Sequence, residues 1–102
     1  MSLHHPATDE LELSAVLHAL SDPQRLHVVR VLAESTTPRR CGSFGLAVTK
    51  STATHHFRVL REAGVIEQCE EGTSRLNSLR REELDERFPG LLDAILESVP
   101  AR

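Results

Sequence analysis

The stretch Thr49 to Gly64, TKSTATHHFRVLREAG, has one consistent local reading, and everything else in the chain must be arranged around it. Thr49 is a helix N-cap and Gly64 a C-terminal terminator, so the segment between them is one short amphipathic helix. At about 100° per residue, Ala53, Phe57 and Leu60 fall within one narrow stripe, while Ser51, His55 and Arg58 lie opposite. One face belongs to a core. The other is a row of hydrogen-bond donors and acceptors.

Ser51, Thr52, Thr54, His55 and Arg58 are short or forked polar groups, the kind that meet base edges or phosphates when a helix lies in a major groove. Lys50, beside the cap, stands where the first backbone N–H groups already favour an anion. An ordinary solvated helix face has the same composition, so the surrounding chain must separate the two readings.

The 102 residues make one domain with one modest core. Without Trp or Tyr, and with only Phe44, Phe57 and Phe88 as aromatics, that core is built from Leu, Val, Ile and Ala. No secretory signal and no membrane-length apolar run is present, which gives the expectation of a cytoplasmic protein with no membrane partner. Residues 1 to 8 are expected to be a flexible tail and residues 9 to 99 the folded domain. Cys41 and Cys69 have neither CxxC nor CxC spacing, so no zinc knuckle or disulfide framework is indicated.

The formal net charge of -3 argues against a nucleic-acid partner, because phosphate neutralisation dominates affinity. The charge is segregated, however. Ser35 to Arg61 contains no acid at all but holds Arg39, Arg40, Lys50, Arg58 and Arg61, and most of the acids sit in the first 12 residues, in Glu67, Glu70 and Glu71, and in the last quarter. A basic patch on an acidic body suits a molecule that approaches DNA by one face.

In chain order, Leu13, Val16, Leu17 and Leu20 mark a half-buried helix over Asp9 to Leu20. Asp22 as N-cap with Pro23 at the first position opens a second helix to about Glu34, apolar on more than one side and therefore central. Arg39 to Val48, with Gly42 and Gly45, has little periodicity; one short, imperfect helix near Cys41 to Leu46 is expected, completing a helix-turn-helix. Val65-Ile66 begins a strand, Glu71-Gly72-Thr73 turns, and Ser74 to Leu79 returns as a two-stranded hairpin. Glu83 and Arg87 are spaced as an i, i+4 pair on a short charged helix. From Pro89 a last helix carries Leu91, Leu92, Ile95, Leu96 and Val99, a stripe that a core this small does not cover alone. A second copy of the chain would cover it together with the first helix, giving Leu13, Leu17, Leu92, Ile95 and Leu96 as the expected dimer interface. The fold expected is mostly α with a small β-hairpin: a winged helix-turn-helix dimerising through its first and last helices.

LSDPQRLHVVRVLAE (20 to 34), STATHHFRVLREAGVI (51 to 66) and EEGTSRL (70 to 76), three motifs in order over roughly residues 11 to 80, resemble the ArsR/SmtB family of bacterial winged-helix repressors. The resemblance implies a homodimer that sets two recognition helices in successive major grooves of a palindromic operator and that an effector releases. It implies Ser51, Thr52, Thr54, His55 and Arg58 as DNA-facing residues and a partly buried, structural His56. Arg75, the only cation of the wing, is the candidate phosphate contact there, with Glu70 and Glu71 opposing close approach. Metal-sensing members carry a Cys-x-Cys pair before the recognition helix or an Asp/His set between the first and last helices. Here the former place offers only Cys41 and the last helix has no His, so no metal or other cofactor is expected; Cys41 with His4 or His5 of a partner's tail is the one alternative by ligand type. A redox pairing of Cys41 with Cys69 is likewise left open by the sequence.

The leading expectation is thus a sequence-specific regulator whose partners are double-stranded DNA and a second copy of itself. The alternative, motivated by the acidic wing and net charge, is a winged-helix interaction module that has given up DNA. An enzyme is not expected: no Gly-framed nucleophile turn, phosphate loop or paired metal ligands occur.

Overall fold

The computed structural model describes residues 3–99. Met1 and Ser2, part of the expected tail, lie outside the described residues.

Helix α1 (Leu13–Ala19) is shorter than its periodicity suggests: Thr8–Glu10 forms a separate 3-10 turn, and Leu11 is extended so that its side chain enters the core. Helix α2 (Pro23–Ala33) starts as expected. The Asp22 carboxylate accepts from the backbone N–H of Gln24 (2.8 Å) and Arg25 (3.4 Å), and Pro23 occupies the position where a missing N–H costs nothing. Val28, Val29 and Leu32 bury its apolar side.

The 3-10 turn Cys41–Ser43 stands where a short helix was expected, a correction with a clear cause. Gly42 and Gly45 supply no side chains to cover, and Gly45 at φ +67 ends any right-handed helix. Phe44 is the one fully buried anchor of the segment, its ring 5.5 Å from that of Phe57 and its carbonyl accepting from His27 Nε2 at 2.8 Å, with Cys41 and Leu46 packed partly against the core.

Helix α3 (Lys50–Glu62) has the boundaries its sequence announces. The Thr49 hydroxyl accepts from Thr52 N–H at 3.2 Å. At the other end Val65 N–H bonds the Leu60 carbonyl and Gly64 N–H that of Arg61, both at 3.0 Å, the pair of bonds that defines a Schellman cap. Gly64 must be glycine twice over: its φ is +84, and a Cβ there would run into Leu11 Cδ2.

The hairpin pairs β2 (Ile66–Glu71) with β3 (Ser74–Leu79) in register Ile66↔Leu79 to Glu71↔Ser74. Gly72 at φ +62 opens its two-residue turn. A third, two-residue strand, β1 (Arg39–Arg40), adds antiparallel to β3, giving the order β1-β3-β2 rather than a bare hairpin. Buried amides hold that junction: Gln68 Nε2 donates to Asn77 Oδ1 (2.8 Å), and Asn77 Nδ2 donates to the Arg39 carbonyl (3.0 Å).

The expected tail is docked from His5 onward. His5 Nε2 accepts from Gln68 N–H at 2.9 Å and the Pro6 carbonyl from Arg80 Nη1 at 2.7 Å. Helices α4 (Arg81–Arg87) and α5 (Leu91–Ser98) close the molecule. The expected Glu83–Arg87 pair is not made: Glu83 pairs with Arg80 at 3.1 Å, and Arg87 donates to the Leu11 carbonyl.

Candidate nucleic-acid interface

Along the outer face of α3, Lys50, Ser51, Thr52, Thr54, His55 and Arg58 are all exposed, while His56, Phe57 and Leu60 are buried. Their local bonds decide what each can offer. Thr54 spends its hydroxyl proton on the Lys50 carbonyl (2.9 Å), leaving lone pairs and a methyl for an outside partner. Thr52 Oγ1 accepts from Thr49 (2.9 Å) and keeps its own proton to donate. Among the described residues, the His55 ring and the Arg58 guanidinium have no hydrogen-bonded or ion-paired partner within the chain, so the forked donor is free to meet two acceptors on one base edge.

The opposite side of the helix is fixed by a group the sequence pattern does not single out. Arg25, on α2, is only 7% exposed; its Nε donates to the Ala19 carbonyl (2.6 Å), Nη2 to that of His18 (3.3 Å) and Nη1 to His56 Nδ1 (3.0 Å). A guanidinium only donates, so Nδ1 is the bare nitrogen and the His56 ring carries its proton on Nε2, which stands 4.0 Å from the Asp22 carboxylate. One side chain thus joins the end of α1, the start of α2 and the middle of α3. Burial pushes the Asp22 carboxyl up, but the N–H groups of Gln24 and Arg25, with the nearby His56 and Arg25 side chains, outweigh it and hold it below the ordinary 3.8. The sequence signal existed: an arginine three residues after a capping aspartate, beside the apolar face of Val28, Val29 and Leu32.

The five cations of the acid-free window divide. Arg39 donates to the Ser43 carbonyl (2.8 Å) and lies over the Phe44 ring, and Arg61 donates to Gln68 Oε1 (2.9 Å). Arg40, Lys50 and Arg58 are exposed. Arg75 lies on the same face of the sheet as Gln68 and Asn77 and lines a cleft with Lys50 and Thr54, so the wing cation and the start of α3 converge.

Strand alternation separates the cysteines. Cys41 Sγ lies against the amides of Asn77 (3.3 Å) and Gln68 (3.8 Å), whereas Cys69 is out of phase with Gln68 and points to the other face. The sheet stands between the thiols, which removes the geometric basis for pairing them. Cys41 is not part of any group of three metal-ligating side chains among the described residues.

The expected dimer residues fall into two sets. Leu13 and Leu17 are 47% and 45% exposed on α1, and Ile95 and Leu96 are half-buried on α5. Leu92 departs from the expectation: it is 3% exposed, packed within the same chain's core, and has no surface left for a partner.

Residues 22–68 match the family profile "Bacterial regulatory protein, arsR family", a span that holds the α2 cap, Arg25 and all of α3. An uncharacterised HTH-type transcriptional regulator of Bacillus subtilis, YceK, is 32% identical over 90 residues, covering 86% of this chain and 90% of that protein. A second such regulator, from Methanocaldococcus jannaschii, is 32% identical over 59 residues, 57% of this chain and 66% of its own length. The crystal structure of the transcriptional repressor BigR from Xylella fastidiosa superposes with a TM-score of 0.66 at 23% identity, covering 88% of each chain. That of another ArsR family regulator gives 0.66 at 20%, covering 84% of this chain and 89% of that one. No helix among the described residues is long and apolar enough to cross a membrane. The fold is the winged helix of these neighbours, and the chain belongs to the arsR family of bacterial regulatory proteins: it is a DNA-binding transcriptional regulator, not an enzyme.

Proposed function

We propose that the chain acts in the cytoplasm, at the nucleoid, as a homodimeric repressor occupying a palindromic operator. The observation that carries this reading is the outer face of α3, where exposed Ser51, Thr52, Thr54, His55 and Arg58 stand over a stripe anchored by Phe57, Leu60 and the Arg25–His56 bond. In this reading α3 lies in the major groove, with Arg58 on a base edge and the shorter side chains on neighbouring bases. Lys50 and Arg75, which line one cleft, meet neighbouring phosphates. The exposed Leu13 and Leu17, with Ile95 and Leu96, cover one another's counterparts across a two-fold axis, which sets two copies of α3 about one DNA turn apart.

The test is selection from a pool of randomised duplexes, followed by anisotropy titration of the winning sequence over a salt series. A palindromic motif and a steep salt slope are expected. Arg58→Glu should abolish the preference and leave the oligomeric state unchanged. Sequence-specific binding by that variant at wild-type strength would remove α3 from the groove.

A further inference from the structure

The replacement of the expected helix at Cys41 to Leu46 by a 3-10 turn has a structural consequence: the apolar stripe of α3 is not fully covered at its N-terminal end. Ala53 stays half-buried, and a cleft of about 660 Å³ opens between the 42–48 segment, α3 and the wing. Leu46, Val48, Ala53 and Phe57 form its apolar wall. Gly42 and Gly45 line it as well, and a Cβ at either would meet nothing within 4 Å.

The polar side of the cleft is cationic. Lys50 and Arg75 both line it, and neither forms an ion pair among the described residues. Glu70, the register partner of Arg75, makes no such pair with it either. The Gln68 amide on the floor is already engaged, donating to Asn77 and accepting from Arg61. What the cleft offers an occupant is therefore two unpaired cations and a hydrocarbon wall, at a volume within the range of small-molecule sites.

We propose that this cleft binds an organic anion with an apolar body, a carboxylate on a chain or ring, and that such a ligand weakens DNA binding by occupying Lys50 and Arg75. A bare phosphate would satisfy the cations and leave the half-buried Leu46, Val48 and Ala53 in water, so the wall selects against it. The coupling rests on the function proposed above, because the same two cations are its phosphate contacts. It needs no motion transmitted across the dimer: ligand and DNA compete for one pair of charges.

The experiment uses the full chain and two probes. With no Trp or Tyr in the sequence, the fluorescence of anilinonaphthalene sulfonate, an apolar ring system bearing one anion, is read without protein background. It should saturate at one per chain, and decanoate should displace it while inorganic phosphate at equal ionic strength does not. Lys50→Gln with Arg75→Gln should weaken both organic anions roughly tenfold. Decanoate should also weaken operator binding by wild type and reduce the salt slope by about 4, because two cations of each chain in the dimer no longer neutralise phosphates. Ala53→Phe, which fills the cleft, should keep operator binding and lose the response to decanoate; if it does not fold, the double variant decides alone. Displacement by phosphate as effective as by decanoate, or dye binding that neither variant changes, overturns the proposal. A wild-type chain that binds the dye in the cleft but selects no DNA sequence overturns the regulator reading and the competition, and leaves the ligand site standing.

Discussion

Gly64 closes α3 and leads into the hairpin, and replacing it should cost more than its φ alone. The residue sits at φ +84, where a side chain costs about 1–2 kcal/mol. The added Cβ also meets Leu11 Cδ2 and comes within 3.1 Å of Pro6 Cγ. Leu11 is fully buried, so its methyl has no empty volume to turn into, and overpacking of this kind adds about 1–3 kcal/mol. Gly64→Ala should therefore lose about 3 kcal/mol, which for a chain of this size lowers the melting midpoint on the order of 10–20 °C. Gly64→Asn separates the two causes. Asparagine tolerates a left-handed backbone, but it carries the same Cβ and should remain destabilised by at least about 1 kcal/mol. Urea unfolding followed by far-UV circular dichroism, at one fixed chain concentration, measures both. An asparagine variant as stable as wild type would show that Leu11 yields freely and that the close packing of Gly64 against it is not a constraint.

Arg25→Met removes the donors to Ala19, His18 and His56 and should destabilise by about 3 kcal/mol in the same urea assay. Arg25→Lys, which cannot reach all three with one ammonium, should recover only part of that. Asp22 carries a pH signature: its carboxyl is held below its unfolded value, so its stabilisation is complete above that value, about 3.9, and is lost as pH falls through the lower folded pKa. Asp22→Asn keeps a capping oxygen but no charge, so the stability gap between wild type and variant should narrow as pH falls below 4 in acid-titrated urea curves. Leu17→Asp, on the exposed side of α1, should shift the mass measured by light scattering towards a monomer while leaving the circular dichroism spectrum intact; an unchanged dimer would take α1 out of the interface.

The parts of the fold that were legible in the sequence are those fixed by neighbours in the chain. Asp22-Pro23 and Thr49 with Gly64 set helix ends through bonds spanning two to five residues, and those boundaries stand. Where distant contacts decide, the pattern was silent. Residues 41 to 48 owe their path to Phe44 docking on Phe57, and a two-residue strand such as β1 is too short to alternate; the buried Asn77 amide creates it. Periodicity likewise identified α5 as amphipathic without saying what covers it, so Leu92 and Ile95 looked equivalent although only Leu92 is fully inside. The same limit applies to charge. Arg39 and Arg61 count as cations in the sequence, yet their guanidiniums are engaged in structure, and Arg25, outside the basic window, holds α3 from behind.

How a chain of net charge -3 presents a surface to DNA is then a question of where its acids point. On α4 and α5, Glu83, Asp85 and Asp93 are paired with Arg80 and Arg81. On β2, alternation puts Glu67 and Glu71 on one face with Cys69, and Glu70 on the other with Gln68, opposite Arg75. Exposed charges act over a Debye length of about 8–10 Å, so only Glu70 should be felt by a phosphate that Arg75 approaches. Glu70→Gln is expected to tighten operator binding about 2–5-fold at an ionic strength of about 0.1–0.15 M, an advantage that should vanish at high salt. Glu71→Gln, one residue further along on the far face, removes the same charge and should change little. Equal gains from the two substitutions would mean that net charge rather than strand facing governs the wing, and would undo the assignment of Arg75 to the DNA side.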